Sequence, residues 1–280
     1  MPKTRLDLLL VERGLAESRT LAQRLVMAGQ VRVDGQLVLK PSTPVLPGAH
    51  LDLDAGPRFV SRGGEKLEAA LTAFPVRVEG RVCADVGAST GGFTDCLLQH
   101  GAAKVYAIDV GKGLLHWKLR SDPRLVVMEE TNARFVESLP EPVTLVTVDA
   151  SFISLKILLP VVKGWFPSPL HPSPTGRGVG GEGEIIALIK PQFEAGRLQS
   201  AKGEGVIRDP AVHRQVLEEV LAFAQSEGYA VRGLIRSPLQ GPKGNVEFLA
   251  WLAVSHAAST GLTAVIEQVL SSPRGNLEHD

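Results

Sequence analysis

Four charged residues stand where apolar runs begin or end, and their types suit proton transfer. Lys66 lies in Ser61-Arg62-Gly63-Gly64-Glu65-Lys66-Leu67, just ahead of the run Val82 to Val86. Asp149 closes an expected strand over 143–149, Lys190 closes another over 185–190, and Glu247 falls in the last one, 246–254. A charge at the end of a buried strand is costly unless it is paired or used. One such residue reads best as an unrelated strand-end charge. Two amines and two carboxylates in equivalent places point instead to one cleft.

A second group sits at the turn from the first strand to the helix after it, Asp85-Val86-Gly87-Ala88-Ser89-Thr90-Gly91-Gly92-Phe93. Glycines there let the backbone approach a ligand closely, and open α/β sheets bind ligands beyond the carboxyl ends of their strands. Asp109 ends the next strand, where an acid accepts hydrogen bonds from both hydroxyls of a ribose. A nicotinamide dinucleotide would use the same arrangement. Ser89, however, stands where the second glycine of G-x-G-x-x-G belongs, and Asp85 suits a cation better than a pyrophosphate. The loop therefore favours S-adenosyl-L-methionine, whose sulfonium and amino groups are positive. Gly87 to Gly91 also reads as G-x-S-x-G, the hydrolase nucleophile elbow, with Asp149 and His213 following in the right order. Only a small basic segment precedes it, where that fold places several strands, so the hydrolase is the weaker reading.

These residues need a sheet to present them. Apolar runs over 82–86, 105–109, 125–128, 143–149 and 185–190 alternate with helical patterns over 93–100, 155–165 and 210–228. The expectation is an α/β domain with a mostly parallel, seven-stranded sheet and helices on both faces. A further helix is expected over Glu65 to Phe74. Residues 167–184 are rich in Pro and Gly with almost no apolar content, and read as a disordered insertion. Ahead of the domain, two short helical patterns (4–13, and from the cap Ser18 to Gly29) lead to Val31-Arg32-Val33 and Leu37-Val38-Leu39. Asp34-Gly35 between them is a hairpin signal. The division expected is 1–57 for a small α+β module, 58–64 for a linker, 65–256 for the α/β domain and 257–280 for a tail.

The 280 residues balance 30 Lys and Arg against 30 Asp and Glu, but unevenly. Residues 1–62 carry nine basic and six acidic side chains, a mild excess suited to a polyanion. Cys83 and Cys96 make neither a disulfide framework nor a metal or redox pair by spacing. The first residues lack a secretory layout, and no apolar run approaches the roughly 20 residues that span a bilayer. A cytoplasmic protein with no membrane partner and no metal is expected.

Helix, helix and hairpin with Glu17-Ser18-Arg19-Thr20 to Gly29-Gln30-Val31 resemble the S4 RNA-binding module over about residues 3–50. That resemblance implies that Arg5, Arg19, Arg24 and Lys40 touch RNA phosphates. Residues 58–254 resemble the FtsJ/RrmJ-type RNA 2′-O-methyltransferases, whose active site is a Lys-Asp-Lys-Glu tetrad. With the S4-like module and the motifs VSRGGEKL, DVGASTGGFTD, VDASFISL, IKPQFEAG and KGEGVIRDP, the whole chain resembles the TlyA family. That resemblance implies S-adenosylmethionine-dependent methylation of a cytidine 2′-hydroxyl in 16S or 23S ribosomal RNA. It carries the tetrad to Lys66, Asp149, Lys190 and Glu247. It carries the cofactor loop to Gly87, Ala88, Ser89, Gly91, Gly92 and Phe93, with Asp109 at the ribose and Asn132 near the adenine. Lys190 is then the general base; a lysine amine, ordinarily near about 10.4, must lose its proton to act. Asp149 and Glu247 would hold the two amines, and Lys66 would orient the hydroxyl or stabilise the alkoxide. The family is often labelled hemolysin A. A membrane-active reading has no spanning segment and no long basic amphipathic helix behind it, and a non-catalytic RNA binder stays open.

Overall fold

The computed structural model describes residues 2–54, 56–167, 183–195, 205–254 and 261–271. The chain divides into two units, Met1–Arg58 and Phe59–Asp280.

The first unit opens on β1 (Thr4–Arg5), α1 (Leu6–Glu12) and α2 (Arg19–Met27). Ser18 caps α2, accepting from Leu21 N at 3.2 Å. Strands β2 (Val31–Val33), β3 (Gln36–Leu37), β4 (Pro44–Val45) and β5 (Leu51–Leu53) follow. The hairpin expected from Asp34-Gly35 forms, with both residues at positive φ (50° and 79°). Leu6, Leu9 and Leu10 of α1 close on Ala22, Val26 and Val31 as the core of this unit. The short β1–β4 pairing is additional to the sequence reading.

In the second unit, α3 (Gly63–Ala73) precedes β6 (Val82–Val86), α4 (Gly92–Gln99), β7 (Lys104–Ile108), α5 (Trp117–Arg120) and β8 (Leu125–Met128). Next come β9 (Leu145–Val148), α6 (Leu155–Lys163), β10 (Glu184–Ile189) and α7 (Pro191–Glu194). The remainder is α8 (Pro210–Ser226), β11 (Tyr229–Arg236), β12 (Phe248–Val254) and α9 (Leu262–Ser271). One seven-stranded sheet runs β11-β12-β10-β9-β6-β7-β8. Its five strands from β10 to β8 are parallel, and β12 lies antiparallel to both of its neighbours. This is the mostly parallel α/β sheet expected.

The strands alternate between two apolar layers, which is why they read as continuous apolar runs. Ala84, Val86, Val146, Val148, Ile185 and Ala187 face one layer. Cys83, Leu145, Ile186 and Leu188 face the layer that contains α3 and α4.

Register then builds the site. Val86 pairs with Val148 in parallel, so Gly87 and Asp149 leave the sheet at the same edge. Ile189 pairs with Phe248 in antiparallel sense, so Lys190 leaves the sheet where Glu247 enters it. Glu247 thus precedes β12 by one residue rather than lying within it.

The expected linker 58–64 differs from the fold observed. Phe59 is 3% exposed, and a Cβ on Gly64 would lie 2.2 Å from its ring. Glycine at 64 leaves room for that ring, so the segment packs into the second unit from Phe59 onward. Most of the expected insertion, 168–182, lies outside the described residues, as do 257–260 and 272–280 of the tail.

Candidate active site

The loop after β6 is shaped by positive φ. Gly87 has φ 82°, and a Cβ there would meet the Asp149 carbonyl oxygen at 2.6 Å. The cofactor loop and the strand end bearing Asp149 are therefore in backbone contact. Gly91 has φ 95° and faces Leu115 and Leu119, where a Cβ would sit 2.4 Å from the Leu119 side chain. Gly92 opens α4, and Ala88 and Phe93 are buried beneath the loop. Ser89, at φ 49°, is held by its N–H to Asp109 Oδ2 at 2.8 Å. Gly111 N donates to Asp109 Oδ1 at 2.7 Å. A carboxylate has about four acceptor positions, and these two bonds use about half of them. The Asp109 carbonyl accepts from Thr131 N at 2.9 Å, which brings Asn132 alongside. Asn132 Oδ1 caps the following turn, accepting from Arg134 N at 3.2 Å.

A cleft of about 360 Å³ opens on this loop, within the range of small-molecule sites. Gly87, Ser89, Phe93, Lys66, Asp149 and Gly241 are among its walls. Its acidic lining residue is Asp149.

Asp85 departs from the expectation. Its carboxyl is fully buried and accepts from Thr94 Oγ1 at 2.6 Å and Thr147 Oγ1 at 2.9 Å. Burial, first, pushes its pKa up to about 6, although the two hydroxyls oppose this. The reason for its position is the two-residue period of β6. Asp85 shares the face of Cys83, toward α4, and does not line the cleft. It anchors α4 to the sheet rather than facing a ligand.

The tetrad residues meet as two ion pairs. Lys66 Nζ, carried by α3, lies 2.5 Å from Glu247 Oε2, and both side chains are almost without solvent. Gln192 Nε2 donates to the other Glu247 oxygen at 3.2 Å, and Gly241 covers it without room for a Cβ. Lys190 Nζ lies 2.6 Å from Asp149 Oδ1. It also reaches Ser151 Oγ at 3.0 Å and the Asp149 carbonyl at 3.4 Å, with the Phe193 ring beside it. Two cations and two anions leave the group formally neutral, which lowers the cost of burying them.

Two neighbours escaped the sequence reading. Ser151 carries no signal as a lone serine. Phe152 is 91% exposed at φ 65°, three residues past Asp149, and packs on Phe193 at 4.9 Å. A bulky residue at positive φ with its ring in water is the signal, and only coordinates reveal it. Glu194 ties the same two loops, accepting from Ser154 Oγ at 2.6 Å and Leu155 N at 2.8 Å.

The hydrolase triad does not assemble. Ser89 is turned to Asp109 through its backbone, while His213 is 3% exposed with Nε2 3.0 Å from the Ile207 carbonyl. Burial pushes the His213 pKa down. Among the described residues, Glu68, Cys96 and His100 bring three possible metal-ligand atoms together, away from the cleft; His100 is already 2.6 Å from Glu68.

In the first unit, Arg5 and Arg19 converge on the buried Asp7, at 2.9 and 3.1 Å. Arg24 and Lys40 are exposed.

Comparison with known proteins matches residues 59–254 to the FtsJ-like methyltransferase model and residues 4–51 to the S4 domain. The chain is 45% identical over 254 residues to the 16S/23S rRNA (cytidine-2′-O)-methyltransferase TlyA of Mycobacterium tuberculosis. That match spans 89% of this chain and 90% of the relative. It is 38% identical over 252 residues to Hemolysin A of Brachyspira hyodysenteriae, spanning 88% of this chain and 98% of that one. A solved structure from Streptococcus thermophilus, described as a candidate hemolysin, superposes with a TM-score of 0.69 at 42% identity. It covers 96% of this chain and 95% of its own.

Proposed function

Because the chain belongs to the FtsJ-like methyltransferase family, we propose that it methylates a ribose 2′-hydroxyl of ribosomal RNA with S-adenosylmethionine as the donor. The acceptor is a cytidine of 16S or 23S RNA. The observation that carries this reading is the pair of ion pairs, Lys66–Glu247 and Lys190–Asp149, beside a glycine loop at one sheet edge. The TlyA relative supports the acceptor, and the S4 match supports an RNA partner.

The cleft suits this donor: backbone from the glycine loop, an apolar wall at Phe93 and a carboxylate at Asp149. Asp109 does not line the cleft but holds its loop through Ser89 N. Bound there, S-adenosylmethionine supplies a methyl group already activated by its sulfonium. The chain's residues then position the hydroxyl and take its proton. Lys190 Nζ is the base. As an ammonium it pairs with the Asp149 carboxylate and donates to Ser151 Oγ and the Asp149 carbonyl; once neutral, it offers a lone pair to the 2′-hydroxyl. Ser151 eases that exchange, since its hydroxyl can reverse and donate. Lys66, held by Glu247, whose other oxygen accepts from Gln192, stabilises the alkoxide as it forms. Phe152 presents an aromatic face three residues from Asp149, suited to a base drawn from its stack.

The test is chemical. Ribosomal subunits lacking the modification are incubated with protein and donor, digested to nucleosides, separated by chromatography and fragmented to show whether the added methyl stays with the sugar or with the base. The reading expects 2′-O-methylcytidine; a base-methylated nucleoside would overturn it. Among the described residues, no helix is long and apolar enough to cross a membrane, and no site observation favours a haemolytic reading.

A further inference from the structure

We propose that Arg5 and Arg19 grip one phosphate of the RNA backbone together, and that the buried Asp7 carboxylate sets both guanidiniums for it. This rests on the RNA reading above and names a contact within it.

Asp7, on α1, is fully buried, an unusual place for a carboxylate without strong partners. Arg5 meets it in fork-to-fork fashion, Nε to Oδ1 and Nη2 to Oδ2, both at 2.9 Å. Oδ2 also accepts from Arg19 Nε at 3.1 Å and Gln23 Nε2 at 2.9 Å. One arginine would have satisfied the acid. Instead two guanidiniums share a single oxygen, so their nearest bonding nitrogens are no more than about 6 Å apart. Their side chains remain 42% and 54% exposed. Arg5 Nη1 and both Arg19 terminal nitrogens find no acceptor among the described residues. The cluster keeps a net positive charge, with fixed donors left over for a second anion. Holding two rotamer-rich side chains in advance removes part of the ordering cost of binding. Arg24 and Lys40 are exposed without such a brace, and contribute diffuse attraction instead.

The brace reverses the sign expected from charge alone. Asp7→Asn raises the net charge by one, and unaided electrostatics predicts tighter RNA binding and a steeper salt dependence. Pre-setting predicts weaker binding, by roughly tenfold, with a shallower salt dependence. The experiment measures affinity of the full chain for ribosomal RNA across salt concentrations. Glu12→Gln, an exposed acid on the same helix, supplies the control and should bind as tightly as the parent or more so. Arg5→Lys and Arg19→Lys keep the charge but lose the fork. Each should weaken binding several-fold, and together little more than either alone. These lysine variants carry the test if Asp7→Asn does not fold. Parent-like binding by the lysine variants, or tighter binding by folded Asp7→Asn, would overturn the clamp alone. Absence of RNA binding by the parent would overturn the RNA reading with it. Competition by inorganic phosphate at matched ionic strength, weakened in Arg19→Lys, is expected of a grip on one phosphate; equal competition in parent and Arg19→Lys would overturn it.

Discussion

Asp85 is a carboxylate with no access to water, held by Thr94 and Thr147 beneath the glycine loop. Its folded pKa of about 6 lies above the unfolded value. Its contribution to stability is therefore full below about pH 4 and is lost as pH rises through 6. Asp85→Asn removes this dependence. Between pH 4 and pH 8 the stability gap should move toward the variant by about 2–3 kcal/mol, read by denaturant titration at both pH values. Parallel pH profiles would refute the assignment. A second prediction concerns Lys66, which neutralises the fully buried Glu247. Lys66→Met should cost about 3–5 kcal/mol of stability, and adding Glu247→Leu should restore much of it. Additive losses in that double-mutant cycle would mean the pair is not coupled. Asp149, Lys190 and Glu247 stand out in the sequence because charges at the ends of apolar strands demand a reason, whereas Lys66 lies on α3. The pairing of the four was not legible there, since Lys190–Asp149 depends on the parallel register of β9 and β10, and Lys66–Glu247 on where α3 packs. Asp85 was misread as facing the cleft because its chemistry was weighed before its strand period. Phe152 was invisible because exposure is not written in sequence.

Elements set the site through a few backbone contacts. Gly87 packs against the Asp149 carbonyl at a φ that only glycine adopts freely. Gly87→Ala should therefore cost about 1–3 kcal/mol of stability and weaken donor binding, measured by thermal unfolding and calorimetry. Normal donor affinity in that variant would show that the loop is not shaped by this contact. Long periodic stretches were read to within a few residues: α8 ends at Ser226 rather than 228, and β9 begins at Leu145 rather than 143. The paired β1 and β4 and the four-residue α5 were missed, since two to four residues carry no periodic signal. By sequence, residues 58–64 read as a bridge between the two units. The fit of Phe59 over Gly64 is a tertiary fact that local composition does not carry.

At the scale of the molecule, the proposed function gives RNA binding to the basic N-terminal unit and the chemistry to the second unit. The mild excess of basic residues over 1–62 was legible in the sequence, but how Asp7 organises two of them was not. If the division holds, Arg24→Gln and Lys40→Gln together should raise KM for RNA several-fold while leaving kcat near the parent value. A fall in kcat with unchanged KM would move those residues into the chemistry. The central claim is that Lys190 removes a ribose proton. Its most direct measurement is transfer of labelled methyl from S-adenosylmethionine to unmodified ribosomal subunits, with parent and Lys190→Ala run at donor concentrations saturating for both. Label is expected in a linkage that resists alkali, because the 2′-oxygen is blocked. In the variant a loss of at least roughly a hundredfold is expected, with donor affinity unchanged. Label released from the base, or parent-like transfer by Lys190→Ala, would contradict the claim.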